Sequence, residues 1–301
     1  MDRVSTLGLN TTMMNNVMQL EVTLANARVQ ESSGIVSSTY DGYGASAGRL
    51  IGLQSDVAQA QTWSNSAQLA NQRVQSAYSA VGNMVSLITT LRTNIGAALG
   101  SGNPNITGQG SGTVQDLVGQ MNAQFNGDYL FGGNNTTTAP VDMTGYPTVT
   151  GYPTSPTTPP TTYYKGDSGT QSIRVSGQQT ISYGVLANNN GFAEALCAAQ
   201  MVAQQSNPPN QSQLQAAYDL AGQALTDLGD AQSNLGSTSQ RLQEVQQNQS
   251  SYISLSTTMI SNISNVDVAQ VAVQVSQYQT QLQASFSAVA GSMKLNLASF
   301  L

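Results

Sequence analysis

Apolar residues recur along this chain in long stretches at helical spacing. Between Leu53 and Ala98 they fall at Ala67, Ala70, Val74, Ala77, Val81, Met84, Ile88, Leu91, Ile95 and Ala98. The steps alternate between three and four without a break, which is the seam of a coiled coil. Trp63, Ala60 and Leu53 carry the phase backwards, with Asp56 the one polar interruption. A helix over that span would be roughly 69 Å long at 1.5 Å per residue. A second helical zone starts near Gln211. Leu214, Ala217, Ala221, Leu225 and Leu228 repeat at helical spacing, and Val245, Tyr252, Leu255, Met259 and Val266 continue it. Val268, Val271, Val275, Tyr278 and Leu282 then restart the pattern out of phase, which predicts a join near Asn265 between two helices. The N-terminal stretch is amphipathic too: Val4, Leu7, Met14 and Met18 form one stripe, and Val17, Leu20 and Leu24 an adjacent one. Neither end has a partner nearby in sequence, so each terminal helix should pair with the other or with a neighbouring subunit.

Between these helices sit structure breakers. Tyr40 to Gly48 is a glycine-rich joint, read as a flexible hinge, and Gly100 to Gly112 reads as a loop. Val114, Leu117, Met121 and Phe125 predict a short helix that stops at the turn pair Asn126–Gly127. From about Asn134 to Asn190 the chain holds most of its prolines, many threonines and five tyrosines. Short strands are expected at Thr161–Tyr164, Ser172–Val175 and Gln179–Tyr183, and Thr150–Thr162 reads as an exposed loop. The expected fold is therefore mainly α with a small β insertion, built on long antiparallel coiled-coil helices from both chain ends.

Composition narrows the function. Of 301 residues only 8% are charged and the net charge is −6, against about 25% charged in ordinary domains. A polar, weakly charged surface suits packing against copies of itself, because few ions need desolvating. The lysines are Lys165 and Lys294 alone, so there is no basic patch for nucleic acid or an anionic membrane. No run of 18 apolar residues predicts a membrane span, and Met1 to Thr12 lacks the apolar core of a cleaved signal. The chain has no histidine, which removes Ser–His and Cys–His catalysis. Its acidic residues are scattered, and no catalytic, cofactor or metal residues are assigned. Gly42, Gly44 and Gly48 do not have dinucleotide-loop spacing. Cys197, the single cysteine, has no disulfide partner and reads as a small buried hydrophobe in a helix over Ala195–Met201.

Several stretches resemble the bacterial flagellin family. Glu31 to Val57, ESSGIVSSTYDGYGASAGRLIGLQSDV, is similar to the family's N-terminal block, with Tyr40-Asp41-Gly42 where many members carry an Asp-Asp-Pro loop. Asn126 to Gly133, NGDYLFGG, is similar to the turn by which these proteins leave their first long helix. Tyr163 to Gly169, YYKGDSG, with the following stretch to Phe192, resembles the β region of the family's hook–filament junction branch, the hook-associated protein 3 type. Asn265 to Leu301 looks like the family's terminal helix, and its ending Leu297-Ala298-Ser299-Phe300-Leu301 is closer to junction proteins than to filament flagellins.

The resemblance implies a non-enzymatic structural subunit of the bacterial flagellum, either a hook–filament junction protein or, as the alternative, a filament flagellin. Its partners would be copies of itself in a ring, a neighbouring hook-associated protein and flagellin, and a flagellar export chaperone. It would be extracellular, exported without a cleaved signal peptide. A coiled-coil adhesin or binding module is the reading from another class. The expected organisation is an N-terminal polymerisation helix (1–40), a long-helix core (41–133), an outward-facing β-rich insertion (134–190), the second half of the helical core (191–264) and a C-terminal polymerisation helix (265–301). Val4, Leu7, Met14 and Met18 are expected to pack against Val268, Val271, Val275, Tyr278 and Leu282, and these nine residues are the candidate subunit interface.

Overall fold

The computed structural model describes residues 2–101, 106–149, 159–206 and 209–298, with side chains from residue 11 to residue 291 within those segments and at residue 8. The fold is mainly α. Among the described residues six helices, α1 (Asp2–Ser33), α2 (Ala47–Ser101), α3 (Thr107–Met121), α4 (Asn190–Ala203), α5 (Gln211–Ser264) and α6 (Val268–Ala298), accompany two small hairpins. The strands are β1 (Gln124–Phe125), β2 (Asp128–Tyr129), β3 (Gln171–Arg174) and β4 (Thr180–Tyr183). The chain divides into two compact units, one of Met1–Gln59 with Tyr252–Leu301 and one of Ala60–Ser251.

In the larger unit the α2 seam forms the core. All ten residues of the unbroken three–four pattern, Ala67 to Ala98, are buried. Their partner is α5, through Leu214, Ala217, Ala221, Ala224, Leu228, Ala231, Leu235 and Leu242. The pairing is antiparallel. Asn71 accepts a hydrogen bond from Ser239 at 2.7 Å, Gly82 faces Gln232, and the Arg92 guanidinium lies 4.3 Å from the centre of the Tyr218 ring. Alanine-rich seams let the two backbones come close.

α3 begins inside the stretch expected as a loop, and residues 102–105 lie outside the described residues. Glycine does not stop the helix here because packing requires it. A Cβ on Gly110 would overlap the Ala203 backbone nitrogen and lie 2.7 Å from the Val202 carbonyl carbon of α4. α4 is buried almost all round. Its N-terminus is capped by Asn189, whose Oδ1 accepts from Gly191 N at 3.2 Å, and Cys197 sits at its centre, fully buried.

α3 stops at Met121 rather than reaching Phe125, which instead pairs with Asp128 in the β1–β2 hairpin. Asn126 (φ 53°) and Gly127 (φ 88°) make its two-residue turn, the type I′ geometry that an Asn-Gly pair favours. The second hairpin pairs Gln171 with Tyr183 and Arg174 with Thr180. The expected strand Thr161–Tyr164 is a turn: Tyr164 N donates to Thr161 O at 3.0 Å, and a lone bridge joins Val141 to Tyr164. Most of the expected Pro/Thr-rich loop, residues 150–158, lies outside the described residues.

In the smaller unit α1 packs along α6. The glycine-rich joint, Tyr40–Ser46, is two short 3-10 turns separated by a kink at Gly44, φ 51° and ψ −124°. The Tyr43 hydroxyl donates to Ser37 O at 2.7 Å, and the Tyr40 hydroxyl donates to Gln54 Oε1 at 2.8 Å. The join between α5 and α6 falls at Asn265, where the broken phase put it, and Asp267 caps α6 by accepting from Ala269 N and Gln270 N.

Candidate assembly surface

The α1–α6 pair is closed at one end by a backbone clasp. α1 ends at Gly34 in the left-handed region, φ 72°, and the chain then runs antiparallel to the α5–α6 join. Val36 N donates to Ser264 O at 2.7 Å, and Val266 N donates to Gly34 O at 3.0 Å, with a bridge between Ile35 and Asn265. These bonds fix the rotation of α1 against α6.

That rotation decides which stripe is buried. Leu24 and Ala27 of α1 form a core with Val271 and Val275 of α6, with Tyr278, Leu282 and Val266 packed against it. Val17 is also buried. Four of the nine candidate interface residues, Val271, Val275, Tyr278 and Leu282, lie in this seam within the chain. Met14, Met18 and Val268 do not: they are 43%, 50% and 46% exposed. The physical reason is the clasp. α1 offers two adjacent apolar stripes, and the backbone bonds at Gly34 and Val36 present the one containing Val17 and Leu24. Val4 and Leu7 lie outside the residues whose side chains are described. Ala27 has no large side chain to mark it in the sequence, although it continues the seven-then-three step from Val17 and Leu24.

The outer stripe of α1 is left open. Met14, Met18, Val22 and Val29 are all exposed large hydrophobics, and at 100° per residue they fall within an arc of roughly 80°. Val273 and Phe286 are exposed on α6. A similar correction applies to the end of α5. Tyr252, Leu255 and Met259, read as continuing its buried stripe, are exposed, and Ser256 is buried in their place. The three–four seam runs from Leu235 and Leu242 into Ser256, one position off the more apolar set.

In the larger unit the two glycine-bearing stretches, NGDYLFGG and YYKGDSG, meet. Asp167 Oδ1 accepts from Asn134 N at 2.8 Å and from Gly169 N at 3.0 Å. The Tyr164 hydroxyl donates to Asp167 O at 2.6 Å, and Asp167 N donates to Gly132 O at 3.2 Å. Gly133, with φ 75°, abuts the Asp167 carboxylate, so no side chain fits there. Tyr163 is fully buried beneath, its hydroxyl donating to Ala187 O at 2.8 Å, and burial pushes its ionisation well above the ordinary tyrosine range. Arg73 reaches from α2 to the Tyr129 carbonyl and lies 3.8 Å from Asp128, tying the first hairpin to the long helix.

A cavity of about 10 Å³ lies beside Arg73, Gly133 and Gln171, and one of about 110 Å³ between Tyr183 and Leu235. The first has room for about one water. Among the described residues no three His, Cys, Asp or Glu side chains converge as metal ligands, and no helix is long and apolar enough to cross a membrane. Burial raises the Cys197 thiol to about 11, away from a reactive thiolate.

Two stretches of the chain match known families. Residues 4–136 match the bacterial flagellin N-terminal helical region, and residues 218–301 match the bacterial flagellin C-terminal helical region. The chain belongs to the bacterial flagellin family. The matched parts of this flagellin-family chain are α1, α2, α3 and the β1–β2 hairpin at one end, and most of α5 with all of α6 at the other. The β3–β4 hairpin and α4 lie between them. Solved structures similar to it include a protein from Vibrio parahaemolyticus described as flagellar hook-associated, with 14% identity, a TM-score of 0.43, 80% of this chain covered and 96% of the other. Another is FlgL of Bacillus cereus, with 12% identity, a TM-score of 0.43 and coverage of 71% and 96%. Among curated proteins none matches the chain. As a member of this family the chain is a flagellin-like structural protein of the flagellum.

Proposed function

We propose that this chain is a non-enzymatic subunit that joins the flagellar hook to the filament, assembling as a ring of identical copies through its terminal helices. The observation that carries an assembly role is the outer stripe of α1. Met14, Met18, Val22 and Val29 stay exposed although α1 already has a partner in α6. Burying one such side chain is worth roughly 1.5–3 kcal/mol, so a row of them favours contact with a further copy. Met14, Met18 and Val268 then act between subunits, while Val271, Val275, Tyr278 and Leu282 hold the pair that presents them.

The junction role, as against a filament, is supported by the likeness of YYKGDSG and the chain's last five residues to junction-type members. On this reading the neighbours are another hook-associated protein and flagellin. The protein acts outside the cell, escorted to export by a chaperone. The five-part organisation given above is kept, with the insertion at 134–190 facing outward. Seeded polymerisation followed by negative-stain electron microscopy tests the proposal. Capping of isolated hooks, when the preceding junction protein is supplied, is the expected result. Long filaments of the protein alone would replace the junction role with that of a flagellin, and neither behaviour would favour a free-standing binding module.

A further inference from the structure

Glu194 is a carboxylic acid inside the α4–α5 packing of the larger unit. It is 5% exposed, and among the described residues its Oε2 receives no hydrogen bond. The carboxyl lies instead within hydrogen-bonding reach of Asp227 on α5. Two carboxylates are both acceptors, so the contact is a bond only when one of them holds a proton. The two helices are in direct backbone contact beside the pair. Gly191, one turn before Glu194, sits so close to α5 that a Cβ there would be 2.7 Å from Leu228 N and 2.9 Å from the Asp227 carbonyl carbon.

We propose that Glu194 and Asp227 form a proton-bridged latch, which holds α4 against α5 when Glu194 is protonated and loosens α4 when that proton is lost. The surroundings offer little to replace the proton. Along α4, Cys197 is a buried thiol, and beyond it the phenols of Tyr146 and Tyr163 face the same helix. Asp116, the ionisable residue of α3, is exposed, as is Asp230 a turn further along α5. Arg92 of α2 meets α5 at Tyr218 and Gly222, more than a turn before Asp227. Desolvation, and then the Asp227 charge, raise the Glu194 ionisation to about 7. A raised carboxyl contributes stability that is fully present below its unfolded value and lost as pH rises through its folded value. The window is therefore between about 4.3 and about 7.

The full chain, kept dilute and monomeric, is the sample. The carboxyl carbon of Glu194 is followed by NMR across that window, and amide exchange of Asn190–Ala203 is compared at about pH 5.5 and about pH 8.5, corrected for intrinsic rates. The expected result is titration near 7 and a protection of α4 that drops about tenfold or more at the higher pH, while Glu194→Gln, which keeps a donor but cannot ionise, shows no such drop. Titration at the ordinary value near 4.3 would overturn the latch, and so would the same pH dependence in Glu194→Gln. If that variant fails to fold, Asp227→Asn decides: an amide that donates to the carboxylate should lower the Glu194 midpoint by at least about one pH unit, and an unmoved midpoint would also overturn it.

Discussion

The carboxylate of Asp167 receives the backbone amide of Asn134 at 2.8 Å, joining positions 33 residues apart in the chain. The same oxygen receives Gly169 N, so one side chain pins both the exit from the first hairpin and the turn before β3. Asp167→Ala leaves these amides to water and should lower the stability of the larger unit by about 1 kcal/mol. Gly133→Ala should cost more, about 2–4 kcal/mol, because it forces a Cβ onto that carboxylate at a positive φ. Urea unfolding followed by circular dichroism checks both, and an equal effect of the two would contradict the steric argument.

Two glycines of α3 should respond in opposite directions. Gly110 abuts the Ala203 backbone, whereas nothing lies within 4 Å of the position a Cβ would take on Gly119. Gly110→Ala should push α3 off α4 and cost about 1–3 kcal/mol. Gly119→Ala lies in an exposed helix interior and should stabilise by about 0.5–1 kcal/mol. Thermal unfolding of the two variants beside the parent gives the signs directly.

The Tyr163 hydroxyl has a specific use that its ring does not supply. Tyr163→Phe keeps the packing but leaves Ala187 O without the hydrogen bond it accepts at 2.8 Å. The expected loss is about 1–2 kcal/mol. Because burial raises the ionisation of Tyr163, its absorbance should not change until the larger unit unfolds in alkali. Ultraviolet titration of the parent against Tyr163→Phe isolates that signal.

The α2 seam was legible because its three–four pattern runs unbroken through ten positions, Ala67 through Ala98. The apolar residues beside them, such as Leu69, Tyr78, Val85 and Leu87, form no equally continuous run. α1 was half legible for the opposite reason. It carries two apolar stripes, and the choice between Met18 and Leu24 is made by hydrogen bonds between Gly34–Val36 and Ser264–Val266, more than 200 residues away in the chain. The end of α5 misled in the same way: Tyr252, Leu255 and Met259 look more buried than Ser256, yet continuity of the seam from Leu242 places Ser256 inside. The start of α3 was hidden because Gly108, Gly110 and Gly112 signal a loop locally, and only the approach of α4 at Ala203 shows why a helix needs a glycine there. The Asp167 clasp was recognisable only as a motif, since its partners come from two distant segments.

Val275 lies in the α1–α6 seam, 6% exposed beside Leu24, Ala27 and Val271. Val275→Asp places a charge in that seam, and its desolvation adds to the lost apolar burial of roughly 1.5–3 kcal/mol. The smaller unit should lose helix. The larger unit, whose core contains none of these residues, should unfold at nearly its parental urea concentration. Residue-resolved amide exchange distinguishes the two, and equal loss in both units would contradict a separately held terminal pair.

The outer stripe should show the converse behaviour. Met14, Met18 and Val22 are 43%, 50% and 61% exposed, so replacing them with glutamine removes little burial from the isolated chain. The triple variant Met14→Gln, Met18→Gln, Val22→Gln should keep the parental helix content and unfold within about 0.5 kcal/mol of the parent for each exposed site. If the stripe is an interface between copies, three buried side chains at roughly 1.5–3 kcal/mol each are lost from every subunit contact, enough to abolish hook capping at concentrations where the parent assembles. Full assembly by the triple variant would move the interface off this face of α1, and the exposed end of α5 at Tyr252, Leu255 and Met259 would become the next apolar surface to substitute.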